Sequence, residues 1–163
     1  MLFKSNLSSK SSAFIQFLYL LIMATRSRIG IQIDGGIVSA YHHWDGYPEW
    51  LGVTLNKNFI DENSVKELID GGDMSCCHSD NGWDSDEKYV EPRPVYYAER
   101  GEDTPPQLSE SITEYLNLAN DCCGEFAYLF VGGEWFCYDT DRYGKGFARL
   151  VDIPADYPKE VAA

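Results

Sequence analysis

"RIGIQIDGGIVSAYHH", residues 28–43, decides the fold. Ile29, Ile31 and Ile33 fall on one side of an extended chain, the period-two alternation of a strand with one buried face. Asp34, Gly35 and Gly36 follow, residue types that tolerate positive φ, and residues 37–43 resume the extended pattern. A β-hairpin over 28–43 is the expectation. Its counterpart near the C-terminus is residues 126–131 and 134–139, flanking the two-residue turn Gly132-Gly133.

Helical spacing fills the space between the hairpins. Residues 48–59 place Trp50 or Leu51, Leu55 and Phe59 on one side of a helix, with Gly52 as a weak point. Asp61 or Asn63 can cap a second helix whose apolar positions are Val65, Leu68 and Ile69, and Gly71-Gly72 stops it. Ser111 and Glu114 have capping-box spacing ahead of the stripe Ile112, Tyr115, Leu116 and Ala119, which predicts a helix over 109–120. Short strands are expected at 95–98 and 147–153. Residues 73–94 read as a long polar loop.

These elements do not alternate strand with helix. The expected class is α+β: a mostly antiparallel sheet built from two β-hairpins, with two or three packed helices. At 163 residues one domain suffices, assigned to residues 23–153 with a flexible tail at 154–163. The glycine pairs all have turn explanations and lack the Lys-Ser/Thr of a phosphate-binding loop.

Residues 1–22 stand apart. Lys4 and Lys10 precede the apolar run 13–24, which reads either as a signal-like segment or as an extension ahead of the true start at Met23. The run is too short to span a bilayer.

Thirteen Lys and Arg face 26 Asp and Glu, a formal charge of −13. That excess repels phosphate backbones and anionic membranes, so neither a nucleic acid nor a membrane is an expected partner. It serves solubility, and it also suits a protein partner with a basic face. The five cysteines include the adjacent pairs Cys76-Cys77 and Cys122-Cys123, an arrangement that fits reduced cytoplasmic thiols better than a disulfide framework.

Four groups of residues carry chemistry. In YHHWDGYPEW, residues 41–50, His42 and His43 point to opposite faces of a strand end, and His43 with Asp45, supported by Glu102, makes a candidate base or metal ligand. The competing reading is a turn at Asp45-Gly46 followed by a helix start at Pro48. Cys76, Cys77, His78, Cys122 and Cys123 supply enough sulfur and nitrogen for zinc, although adjacent cysteines lack the usual gap and structural or incidental thiols are the favoured reading. No cofactor is otherwise expected. Asp80, Asp84, Asp86 and Glu87 offer oxygen ligands in a loop without EF-hand register, where a solvated loop suffices. Trp44, Tyr47, Tyr97 and Arg100 together could hold a nucleotide-like ligand by stacking and charge, against the plainer reading of a strand end and charged turn.

From Met23 onward, MATRSRIG, YHHWDGYPEWLG, YYAERGED and the EFAYLF and EWFCYD segments resemble a group of short bacteriophage proteins, including those of phages of cyanobacteria, and some bacterial proteins. The likeness covers most of residues 23–139, and the HWDGYP block is its most specific part. The matching positions are Arg26, Ser27 and Arg28, the block His43 to Pro48, and the turn Arg100 to Asp103. The paired cysteines and the N-terminal extension depart from the pattern. The resemblance implies a phage accessory protein in the cytoplasm of the infected cell. It would bind a host protein or a small host metabolite or nucleotide without catalysis, redirecting host physiology or countering a defence. A small metal-dependent hydrolase or nuclease using His43, Asp45 and Glu102, and a minor virion protein, are the alternatives. Self-association stays open.

Overall fold

The structure is a computed structural model that describes residues 24–77, 93–141 and 147–158. Eight strands make one sheet: β1 (Ser27–Ile33), β2 (Gly36–His42), β3 (Met74–Cys76), β4 (Val95–Tyr96), β5 (Gln107–Ser109), β6 (Phe126–Val131), β7 (Glu134–Asp139) and β8 (Arg149–Val151). Their order is β4-β3-β2-β1-β6-β7-β8, with β5 beside the first half of β2.

Both expected hairpins form, β1–β2 around Asp34-Gly35 and β6–β7 around Gly132-Gly133. They supply only four of the eight strands, however, and they join each other in parallel through β1 and β6. The sheet is therefore mixed: most of its pairings are antiparallel, as expected, but β1–β6 and β2–β3 are parallel, and the two hairpins alone do not build it. A hairpin turn specifies only the pairing it closes. The pairing between hairpins depends on the intervening chain, here long enough to cross over and bring β6 alongside β1.

Three helices complete the α+β fold: α1 (Val53–Asn58), α2 (Glu62–Asp70) and α3 (Ile112–Asp121). The single helix read over 48–59 is in fact a π-helical turn, Pro48–Gly52, running into α1. Gly52 is the junction because Ile153 and Tyr128 pack where its Cβ would lie. Asp61 caps α2 by accepting from the Ser64 amide at 2.9 Å, and Ser111 caps α3 through the Glu114 amide at 3.2 Å. The strand expected at 95–98 is shorter, since Tyr97–Arg100 turns into a 3-10 helix. The loop expected at 73–94 opens with β3, and residues 78–92 lie outside the described residues.

Helices cover both faces of the sheet. On one, Leu51 and Leu55 with Val65, Leu68 and Ile69 of α2 pack on Ile29, Ile31, Tyr128 and Phe130. On the other, Tyr115 and Ala119 of α3 pack on Ile37, Ala127 and Leu129. Strand β1 is consequently buried from Ser27 to Ile31, Arg28 included, where alternation had predicted one solvent-facing side. Its Gly30 admits the Tyr115 ring, which lies 3.1 Å from the position a Cβ would take. No helix among the described residues is long and apolar enough to cross a membrane.

Tyr115 ties the layers together. Its hydroxyl donates to the Tyr128 carbonyl at 2.6 Å with the Arg28 carbonyl 3.1 Å away, both contacts buried. Replacing Tyr115 with Phe leaves those carbonyls without that donor and should cost about 1–3 kcal/mol, read as a lower urea midpoint at unchanged slope.

Candidate functional site

Antiparallel register decides which side chains share a face. Ser27 pairs with His42 and Arg28 with Tyr41, so Arg28 and Tyr41 project to the α3 side while Ser27 and His42 project to the α1–α2 side. His42 is buried there, with Nδ1 3.1 Å from the Ser27 hydroxyl. His43 lies on the opposite side, half-buried, with Nδ1 2.7 Å from the Tyr41 hydroxyl.

Around Tyr41 and His43 the structure collects positive charge. Arg26 and Arg100 both act electrostatically on His43, and Arg26 lies close enough to the Tyr41 phenol to favour its ionised form by charge and hydrogen bonding. The Arg100 guanidinium sits 5.2 Å from the centre of the Tyr97 ring. Beneath them Arg28 is only 2% exposed, its Nε donating to the Ser39 hydroxyl at 2.7 Å and its Nη2 to the Gln107 side-chain oxygen at 3.1 Å. Cys122, at the end of α3, comes within reach of Arg28.

Ion pairing singles these arginines out. Among the described residues Lys57, Lys66, Arg93 and Arg149 each hold a carboxylate, whereas Arg26, Arg28 and Arg100 have none within 4.0 Å. Two acids border the cluster. Asp73 accepts from the Tyr41 amide at 2.8 Å and, like Glu102, bears on the Tyr97 phenol. In a chain of charge −13, three cations on one face of the sheet with no paired carboxylate among the described residues, one of them the buried Arg28, stand out against the acid excess.

This environment tunes its titratable groups. Burial lowers the His43 pKa, and Arg26 and Arg100 lower it further. Burial pushes Tyr41 up to about 12 against the pull of Arg26. Burial likewise raises the Cys122 thiol, opposed by Arg28. The face thus presents neutral imidazole and phenol groups among fixed positive charges, an arrangement that accepts an anion and offers donors to it.

The sequence candidates divide across this geometry. His43, Tyr97 and Arg100 belong to the face, and Trp44 packs edge-on against His43 with ring centres 4.6 Å apart. Tyr47 instead begins the π-helical turn, with Asp45 and Glu49 as its charged neighbours. Asp45 occupies a left-handed turn at φ 57°, and desolvation raises its pKa. Neither Asp45 nor Glu102 forms an ion pair or hydrogen bond with His43 among the described residues; the ring is held by Tyr41. Gly46 locks the second half of the HWDGYP block to the sheet: its amide donates to the Thr25 carbonyl at 2.8 Å and its carbonyl accepts from Tyr128 at 2.8 Å. The block therefore places His43 and Trp44 beside the arginines with its first half and is bonded to the sheet through its second.

The proposed zinc ligands are not gathered. Cys77 is in the α1–α2 layer with Met74 and Leu68, while Cys122 lies by Arg28 on the other face. His78 and the acids Asp80, Asp84, Asp86 and Glu87 lie outside the described residues, and among the described ones no group of three or more His, Cys, Asp or Glu side chains is placed to hold a metal.

Arg26, Arg28 and Tyr41 lie in segments that the sequence reading singled out, but it assigned none of them to a candidate site. The hairpin register contained them, since a two-residue turn at Asp34-Gly35 pairs Arg28 with Tyr41 and, continued outward, sets Arg26 opposite His43. Comparison with protein-family models, with curated proteins and with solved structures finds no match to this chain.

Because the folded protein holds His43 below its ordinary pKa, the unfolded chain takes up the proton first as pH falls. Stability drops through the window below about 6.5, where imidazole begins to protonate. Melting curves at about pH 7.5 and about pH 5.5 should show a smaller loss for His43→Gln than for the parent. Equal losses would contradict the assignment.

Proposed function

We propose that the protein is a non-catalytic binding protein whose ligand is a small, nucleotide-like anion held on the face formed by Arg26, Arg100, Tyr41, His43 and Tyr97. The observation that supports this reading is the convergence on rings able to stack of three arginines that, among the described residues, have no paired carboxylate, in a protein otherwise strongly acidic. A cation left without a counter-ion loses hydration on burial and regains it as attraction for an incoming anion. Guanidinium groups match phosphate geometry through paired N–H donors, and Tyr97 beneath Arg100 supplies an aromatic surface for a base.

Arg28 acts from below. Held by Ser39 and Gln107, its charge is fixed in place and adds to the field without requiring contact with the ligand. On the resemblance to phage proteins, the ligand is a metabolite of the infected cell and the protein an accessory that diverts it or senses it. Binding suffices for that role, and the partnership of His43 with Tyr41 in place of a carboxylate supports binding over acid–base catalysis.

Titration of the full chain with a nucleoside monophosphate, its parent nucleoside and inorganic phosphate tests the reading by calorimetry. The monophosphate is expected to bind most tightly and the nucleoside least. Arg26→Ala or Arg100→Ala should weaken the monophosphate by about tenfold or more, the usual loss for one hydrogen bond to a charged group. Binding that is indifferent to both substitutions, or no binding of any of the three, would refute the proposal.

A further inference from the structure

A second surface occupies the other half of the α3 side of the sheet. Helix α3 packs on β2, β1 and β6 through Ile37, Ala127 and Leu129, and β7 and β8 extend past it. Phe136, Tyr138 and Leu150 project from them to that side, because Tyr138 pairs with both Ala127 and Leu150. They line an open groove of about 730 Å³ together with Ile112 of α3 and Val131 of β6. Leu150 is 59% exposed, Ile112 39% and Phe136 37%, unusual values for large apolar side chains in a shared groove. Among the described residues the opposite face of the sheet has two α-helices where this one has α3 alone.

Charge indicates what fits there. Among the described residues Glu110 is the only charged one lining the groove, and exposed Asp34 joins two of its other lining residues, Ile33 and Gly35. Glu114, one helical turn beyond Glu110, accepts from the Glu110 amide and so stands on the same rim. Among the described residues no lysine or arginine lines the groove, and Arg149 on the neighbouring β8 is bound to Asp139 at 2.9 Å. A second copy of this chain would bring the same acids against one another. An apolar stripe flanked by Lys or Arg would bury against Phe136 and Leu150 while its charges met Glu110 and Asp34.

We infer that this groove is a docking surface for an amphipathic, basic helical segment of a partner protein, which lies beside α3 and completes the helical layer. It is separate from the anion site: its residues belong to the β7–β8 side and the carboxyl end of β1, whereas the arginines lie at the amino end of β1. The two proposals stand or fall independently.

Fluorescence anisotropy of the full chain supplies the test. The probes are labelled peptides about 18 residues long, five helical turns, with leucines at amphipathic spacing and either lysine or glutamate elsewhere. The leucine–lysine peptide should bind at least about tenfold more tightly than the leucine–glutamate one. Phe136→Asp and Leu150→Asp should each weaken it about tenfold, with Ile60→Asp, at an exposed apolar position elsewhere, leaving it unchanged. Thermal melts of all three variants separate lost binding from lost folding. Equal binding to every variant would mean diffuse attraction to an acidic surface and would overturn the inference. So would a dimer, seen in sedimentation, that Leu150→Asp dissociates. A photo-crosslinker at position 150 that links to residues 1–22 of its own chain would likewise assign the groove to that segment and refute a partner.

Discussion

Strand β1 carries the constraint on which the rest of the molecule depends. It pairs antiparallel with β2 on one side and parallel with β6 on the other, and helices cover both of its faces. Every backbone group of such a strand must find its partner inside the protein, because water does not reach it. The pairing with β6 joins the two hairpins into one sheet and sets where each face lies. Tyr115 then bridges β1 and β6 from above, its ring over Gly30 and its hydroxyl between the Arg28 and Tyr128 carbonyls.

The proposed anion site follows from that placement. Burying β1 buries Arg28 with it, and an internal guanidinium persists only where hydrogen bonds replace lost water. Ser39 from β2 and Gln107 from β5 provide them while leaving its charge without a paired acid. Arg26, before β1, and Arg100, in the turn after β4, raise the positive charge nearby. His43 and Tyr41 stay neutral within it because burial makes charging them costly, most visibly for Tyr41 at about 12. Positive field and uncharged donors therefore arise from one cause, the position of β1 in the middle of the sheet.

The HWDGYP block shows how one short motif serves two purposes. Its chain leaves β2 at His43, whose amide donates to the Met74 carbonyl at 3.1 Å, and turns through Asp45 at positive φ. A Cβ at Gly46 would lie 2.5 Å from the Ser27 hydroxyl and 2.7 Å from the Thr25 carbonyl, so only glycine admits this approach. The second half of the block thereby holds the start of β1, and the first half presents His43 and Trp44 to the arginine face.

Local chemistry made much of this legible in the sequence. The hairpin turns at Asp34-Gly35 and Gly132-Gly133, the caps at Asp61 and Ser111, and the stripes of α2 and α3 depend on residues close in the chain, and they stand where the spacing put them. Strands β3 and β5 escaped notice because three residues are too few to show a period. Arg26 and Arg28 stood out in the sequence only as positions matching the phage-protein pattern, and the register of β1 against β2 is what sets them beside His43 and Tyr41. The sequence by itself determined the elements, their caps and turns, and the charge balance, since each follows from neighbours a few residues apart. Only the tertiary structure decided the parallel join of β1 to β6, the burial of Arg28 and the gathering of Arg100 and Tyr97 with residues some 55 to 75 positions earlier. Those features come from contacts between distant segments, whose free energy depends on the packing of the whole sheet.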